Sequence, residues 1–260
     1  MIFVTKIMKP SSFLLAVGVL CAGYSMPARA EAFTPEQKKE LEVLFKDYIQ
    51  KNPEVILESV QAYQIKEDER RQKSAQENLK EYKEKLVNNL DLPSAGNPEG
   101  DVTVVEFFDY NCGYCKKAYE DVMKLLEEDK GVRVVFIDLP ILSEESRVMA
   151  KMSMAAQSQG KYFDAHKALM GYRGPRGEEN FLKVLAEAGV DVEKMKAEMV
   201  SPDIDVALGR YAKIANDLNI RGTPGFVVGD SLMPGYVGLE GMKHAIEEAR
   251  KAKAEPGEKK

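Results

Sequence analysis

The sequence predicts an α/β fold with a long helical insertion, preceded by a helical arm, and three observations carry that reading. Val102–Phe108 and residues 132–137 are β-branched and aromatic runs joined by a helical pattern, which makes a β-α-β unit with parallel strands. Cys112 and Cys115, separated by two residues, stand where the first run gives way to that helix. Far downstream, Gly225–Val228 and residues 232–237 flank Gly229-Asp230-Ser231 as a hairpin, and an amphipathic helix over 239–251 follows.

Each element has its local cause. Thr34-Pro35-Glu36-Gln37 reads as a helix start, with Thr34 as the cap, Pro35 in the first turn and Gln37 reaching back. Leu41, Leu44, Phe45, Tyr48 and Ile49 then form one apolar stripe. Asn52-Pro53 ends this helix and begins the next, where Ile56, Val60 and Tyr63 share a face. Residues 64–78 turn strongly polar, and Leu79, Tyr82 and Leu86 resume at helical spacing. Residues 64–90 therefore read as a charged helix in solvent, with a self-associating arm as the sharper alternative. Residues 93–100, rich in Pro, Gly and Asn, read as a linker into the next domain. Residues 144–218 are mainly helical, broken at 171–177 and near Ser201-Pro202.

The first thirty residues read as an export signal rather than as structure. Lys6 and Lys9 precede the apolar run 13–20, and Ala28-Arg29-Ala30 supplies a small-x-small cleavage pattern. The organisation is then a signal over 1–30, a helical region with a capacity for self-association over 31–95, a catalytic domain over 96–254 and a flexible tail over 255–260. Of 260 residues, 44% are hydrophobic and 30% charged, with a net charge of −5. Cleavage removes three basic residues and no acidic one, which moves the net charge to −8. Without a basic excess, nucleic acid is excluded as a partner. Cleavage also removes Cys21, so an exported chain keeps only Cys112 and Cys115 in an oxidising compartment.

Those two sulfurs carry the chemistry. The spacing lets them meet in one helical turn, and the unpaired amides of a helix N-terminus favour a thiolate at the first. Cys112 is the expected nucleophile and Cys115 the residue that resolves the mixed disulfide. A structural zinc site needs four ligands, and the chain has only His166 and His244 besides the cysteines, so no metal site is assigned. Copper(I) held by two thiolates remains a rival reading. Glu106 interrupts the apolar strand on the face shared by Val104 and Phe108. It reads either as a buried proton acceptor for Cys115 or as an edge carboxylate facing water, and period alone does not choose. Thr223-Pro224 directly precedes the late strand.

In this order, the motifs resemble the thioredoxin fold, and residues 105–116, Val-Glu-Phe-Phe-Asp-Tyr-Asn-Cys-Gly-Tyr-Cys-Lys, resemble the DsbA superfamily of thiol-disulfide oxidoreductases over about residues 97–252. The resemblance implies a thioredoxin fold with a helical insertion, preceded by the N-terminal helical arm. It also implies a cis Thr223–Pro224 bond packed against the cysteines, and Glu106 at a buried-acid position. Gly113 and Tyr114, with Thr223 and Pro224, become the expected client-contacting residues. The Gly-Tyr pair and Thr223 are similar to those of DsbC-type isomerases, whereas DsbA itself has Pro-His and Val there. The helices of 34–90 resemble those of ScsC-like proteins, some of which oligomerise through this region.

The expectation is therefore a secreted, periplasmic thiol-disulfide interchange protein, needing no cofactor and leaning to isomerase or reductase. Its expected partners are unfolded or misoxidised secreted proteins, a membrane redox partner and further copies of itself through 34–90. The rivals are a DsbA-like oxidant and a copper(I)-handling or chaperone protein.

Overall fold

The computed structural model describes residues 33–87, 89 and 92–254. The export-signal reading of 1–30 and the tail at 255–260 fall outside the described residues. The chain forms two compact units that divide between Ser59 and Val60.

The first unit holds helix α1 (Pro35–Lys51) and the first turn and a half of α2 (Glu54–Val87). Thr34 and Gln37 make the reciprocal cap expected from the sequence: Thr34 Oγ accepts from the Gln37 amide at 3.2 Å, and the Thr34 amide donates to Gln37 Oε1 at 2.9 Å. Leu44, Phe45, Tyr48 and Ile49 are all exposed, so the predicted apolar stripe is present and open to solvent.

The second unit is built on a mixed sheet of β1 (Ser94–Gly96), β2 (Val102–Phe108), β3 (Val132–Asp138), β4 (Gly225–Val228) and β5 (Ser231–Pro234). Their order is β1-β3-β2-β4-β5, and only β2 and β3 run parallel. Helix α3 (Gly113–Glu128) makes the crossover between them and buries Cys115, Ala118, Val122 and Leu125, spaced by three and four. The insertion follows as α4 (Glu144–Ala155), a 3-10 turn (Ala156–Gln159), α5 (Tyr162–Gly171), α6 (Glu178–Glu187), α7 (Val192–Met199) and α8 (Pro202–Asp217). Helix α9 (Gly238–Ala254) packs against α3 and the sheet. Every residue of β2 and β3 is buried, because helices cover both faces of the parallel pair.

Two details correct the sequence reading. The supposed linker at 93–100 contains β1, which pairs antiparallel with β3 from Ser94↔Val135 to Gly96↔Arg133. The last three turns of α2 are also not a helix standing in solvent. Ala75, Leu79 and Leu86 are buried, Tyr82 OH donates to Asp217 Oδ2 at 2.5 Å, and Asn78 Nδ2 donates to the Asp217 carbonyl at 2.8 Å. Below them, Arg133 donates from both Nη atoms to the carbonyls of Val87 and Asn89, each at 2.9 Å. Those few apolar side chains, widely spaced among charges, are the docking face.

Candidate active site

Strand β2 delivers the chain into the loop Asp109-Tyr110-Asn111, and this loop is fastened at several points. Asp109, buried, accepts from the Asn111 amide through Oδ1 at 2.7 Å. Through Oδ2 it accepts from the amides of Ile141 and Leu142 at 2.9 and 3.0 Å. Asn111 Nδ2 donates to Ser143 Oγ and Ser146 Oγ at 2.9 and 3.0 Å. The loop before the cysteines is thereby tied to the start of the helical insertion. Sequence reasoning missed Asp109 and Asn111, although an Asp bonding the amide two residues on is a recognisable turn signature.

Cys112 is the N-cap of α3, in extended conformation, and its Sγ accepts from the Cys115 amide at 3.4 Å. This is the helix-terminus environment inferred from the spacing. The same sulfur donates its proton to the Thr223 carbonyl at 3.2 Å, across 111 positions of sequence. The Thr223–Pro224 bond is cis. Both cysteines are free thiols; Cys112 keeps 7% exposure and Cys115 none. Gly113 is exposed and nothing lies within 4 Å of where a Cβ would stand, while Tyr114 is 62% exposed. The site thus offers one sulfur to a visitor and seals the other.

Burial pushes the Cys115 thiol far up, the nearby Glu106 charge pushes it further, and a backbone hydrogen bond with Asp109 works the other way. Cys115 attacks only if something takes its proton. Glu106 is 1% exposed, flanked in register by Phe136 on β3 and Phe226 on β4. Its Oε1 has no hydrogen-bond partner, and burial alone raises its carboxyl to about 8. Of the two sequence readings, the edge carboxylate facing water is excluded. Lys116 follows Cys115 on α3. It is half-buried, its Nζ donates to the Tyr172 carbonyl at 2.7 Å, and burial with Arg173 and Arg176 nearby lowers its pKa.

Behind the site, His166 is buried in a cage of rings, with Tyr110 OH 3.2 Å from its Nδ1. Burial lowers its pKa to about 3, so it is a neutral packing residue. Among the described residues, no three His, Cys, Asp or Glu side chains converge as a metal site.

Comparison with known proteins agrees with this geometry. Residues 103–247 match the model of the DSBA-like thioredoxin domain, and residues 37–70 match that of the copper resistance protein ScsC N-terminal domain. A thioredoxin-like oxidoreductase from Silicibacter pomeroyi DSS-3 is 43% identical, superposes with a TM-score of 0.62, and is matched over 65% of this chain and 97% of its own. Proteus mirabilis ScsC is 25% identical with a TM-score of 0.62, over 85% of this chain and 98% of its own. Disulfide bond formation protein D of Bacillus subtilis is 25% identical over 62% of this chain and 78% of its own length. A Na(+)/H(+) antiporter of Salinispora arenicola is 26% identical over 59% of this chain, but this chain spans about a quarter of that relative's length, 24%.

Proposed function

The chain belongs to the family of DSBA-like thioredoxin domains, and from that premise we propose that it is a secreted, periplasmic thiol-disulfide interchange protein acting on protein clients. The observation that carries the proposal is the asymmetry of the sulfur pair: Cys112 caps α3 and keeps 7% exposure, and Cys115 lies fully sealed one turn below it.

The chemistry follows from that arrangement. The Cys112 thiolate attacks a client disulfide, forming a Cys112–client bond while the displaced client sulfur leaves as a thiolate and takes a proton from solvent. Glu106 then takes the Cys115 proton. The Cys115 thiolate attacks Cys112 Sγ, and the second client sulfur leaves. Two electrons have passed from the dithiol to the client, whose disulfide has become two thiols. In isomerisation a client thiol attacks the mixed disulfide instead, and Cys112 returns reduced.

The lean towards isomerase or reductase is supported by Gly113-Tyr114 between the cysteines and Thr223 before Pro224. An isomerase works with Cys112 reduced, so a membrane reductase is the partner that resets it. Several copies held together by the helical region would raise the local thiol concentration around a client.

The test is reactivation of scrambled, fully oxidised ribonuclease. The exported chain is compared with a fragment beginning at Val60, since a cut at residue 97 would strip Leu79 and Leu86 from the core. Strong reactivation by the exported chain, lost in the fragment, is the expected result. Rapid oxidation of reduced ribonuclease with no reactivation would replace the isomerase with a DsbA-like oxidant. Cys112→Ser abolishes exchange, and Cys115→Ser accumulates client mixed disulfides on non-reducing gels. Equal turnover in the two variants would contradict the order of attack.

A further inference from the structure

The hairpin that begins at Pro224 ends in a second aromatic residue that the exchange chemistry leaves unexplained. The Gly235 amide donates to the Pro224 carbonyl at 2.9 Å, which brings the residue before Tyr236 back to the one that follows Thr223, whose carbonyl receives the Cys112 proton. The Tyr236 ring centre lies 6.0 Å from that of Tyr114, with the planes 32° apart. Tyr236 OH donates to Asp121 Oδ2 at 2.6 Å, and Lys117 Nζ sits 5.7 Å from the Tyr236 ring centre. Tyr114, Lys117 and Asp121 fall at i, i+3 and i+7 on α3, so one helical stripe presents all three to the same tyrosine. The ring is fixed at its hydroxyl end and along its face, while its neighbour Tyr114 stands 62% exposed two residues from the attacking sulfur.

We propose that Tyr236 and Tyr114 form an aromatic shelf that selects client cysteines flanked by an aromatic side chain, with Tyr236 as the specificity-determining residue. The proposal rests on the exchange reading above. When the Cys112 thiolate displaces a client sulfur, the new S–S bond pins the client cysteine at the surface. The neighbouring client residue then lies one residue's length away, about 3.3–3.6 Å of extended chain. The exposed Tyr114 ring, tilted against Tyr236, rewards an aromatic neighbour by stacking, worth about 0.5–1.5 kcal/mol, or about 2- to 12-fold in rate. Lys117 takes the cation's place against Tyr236, so the shelf has no vacancy for a basic client side chain there.

The experiment uses the full exported chain with its dithiol reduced and three disulfide-closed peptides, identical except for Phe, Ala or Asp beside the attacked cysteine. Single-turnover reduction is expected to run about 2- to 12-fold faster for the Phe peptide than for the Ala peptide. Tyr236→Ala brings that ratio to about one, and Tyr236→Phe, which keeps the ring, retains most of it. A wild-type ratio of one, an Asp peptide that reacts fastest, or a ratio untouched by Tyr236→Ala would overturn the shelf. Failure of the wild-type protein to reduce any of the three is a different result: it would overturn the exchange reading itself, and the shelf with it.

Discussion

On the neighbouring parallel strands β2 and β3, two carboxylates are shut away from water to the same degree, Glu106 and Asp138 each being 1% exposed. Burial raises both, Glu106 to about 8 and Asp138 to about 7. Their neighbours differ. Asp138 accepts from Tyr162 OH at 2.7 Å and Ser153 Oγ at 3.2 Å, and these donors pull its pKa back down. Glu106 Oε1 has no donor, its flanking residues in the ladder are phenylalanines, and the thiol whose pKa it raises is Cys115. A buried polar atom without a partner costs about 1–3 kcal/mol. Packing gives no reason to keep such a group at Glu106. Proton transfer to and from Cys115 is the role we propose for it, whereas Asp138 is accounted for by the hydrogen bonds it receives.

The sharpest way to break this contrast is kinetic. Glu106→Gln keeps the shape and removes the base, and general-base assistance is typically worth about 10²- to 10⁴-fold. Resolution of a pre-formed Cys112 mixed disulfide is therefore expected to slow by about 100-fold or more, followed by client release in a quenched-flow experiment. In the parent protein the rate is expected to rise with pH up to about 8, where burial places the ionisation of Glu106, and then to level. In the variant that limb disappears. A Gln variant with an unchanged rate and profile would remove Glu106 from the chemistry.

Stability gives a second, somewhat smaller effect with a definite sign. An unfolded glutamate ionises near 4.5, while the folded one holds its proton until about 8. Between those values the folded protein binds more protons than the unfolded chain, so Glu106 lowers stability progressively as pH rises through the window. Glu106→Leu is expected to raise unfolding free energy by roughly 2–4 kcal/mol at pH 8, with the gain shrinking towards pH 4.5. Urea unfolding at both pH values measures it. A gain of equal size at both would mean that Glu106 is not the group titrating.

How much of this was legible in the sequence depends on the range of the interaction. The cysteine pair, the β-α-β unit, the hairpin and the insertion all declare themselves within a few residues, through periodicity, β-branching and turn composition. Glu106 could not be placed because alternation assumes one wet face, and β2 has none. Strand β1 hid in a Pro- and Gly-rich stretch because three residues on a sheet edge need only backbone pairing, which composition does not encode. The Asp138–Tyr162–Ser153 group joins β3, α4 and α5, and Tyr236 meets Tyr114 from 122 positions away. Such meetings are made by topology and leave no local pattern.

The gentlest perturbation addresses the other half of the comparison. Asp138→Ala leaves Tyr162 OH and Ser153 Oγ without their shared acceptor inside a dry region, though Ser153 Oγ keeps its bond to the Ala150 carbonyl at 2.9 Å. One orphaned hydroxyl and a small void should cost about 1–3 kcal/mol in urea unfolding. If Asp138 belongs only to the packing, the resolution rate keeps its rise towards pH 8, because the group that titrates there is still Glu106. Loss of that pH limb in Asp138→Ala would mean that the two strands share one proton, and that the division between a structural and a chemical acid is drawn in the wrong place. A stability loss with the limb intact would leave Asp138 as the acid held by its donors and Glu106, without one, as the acid that titrates.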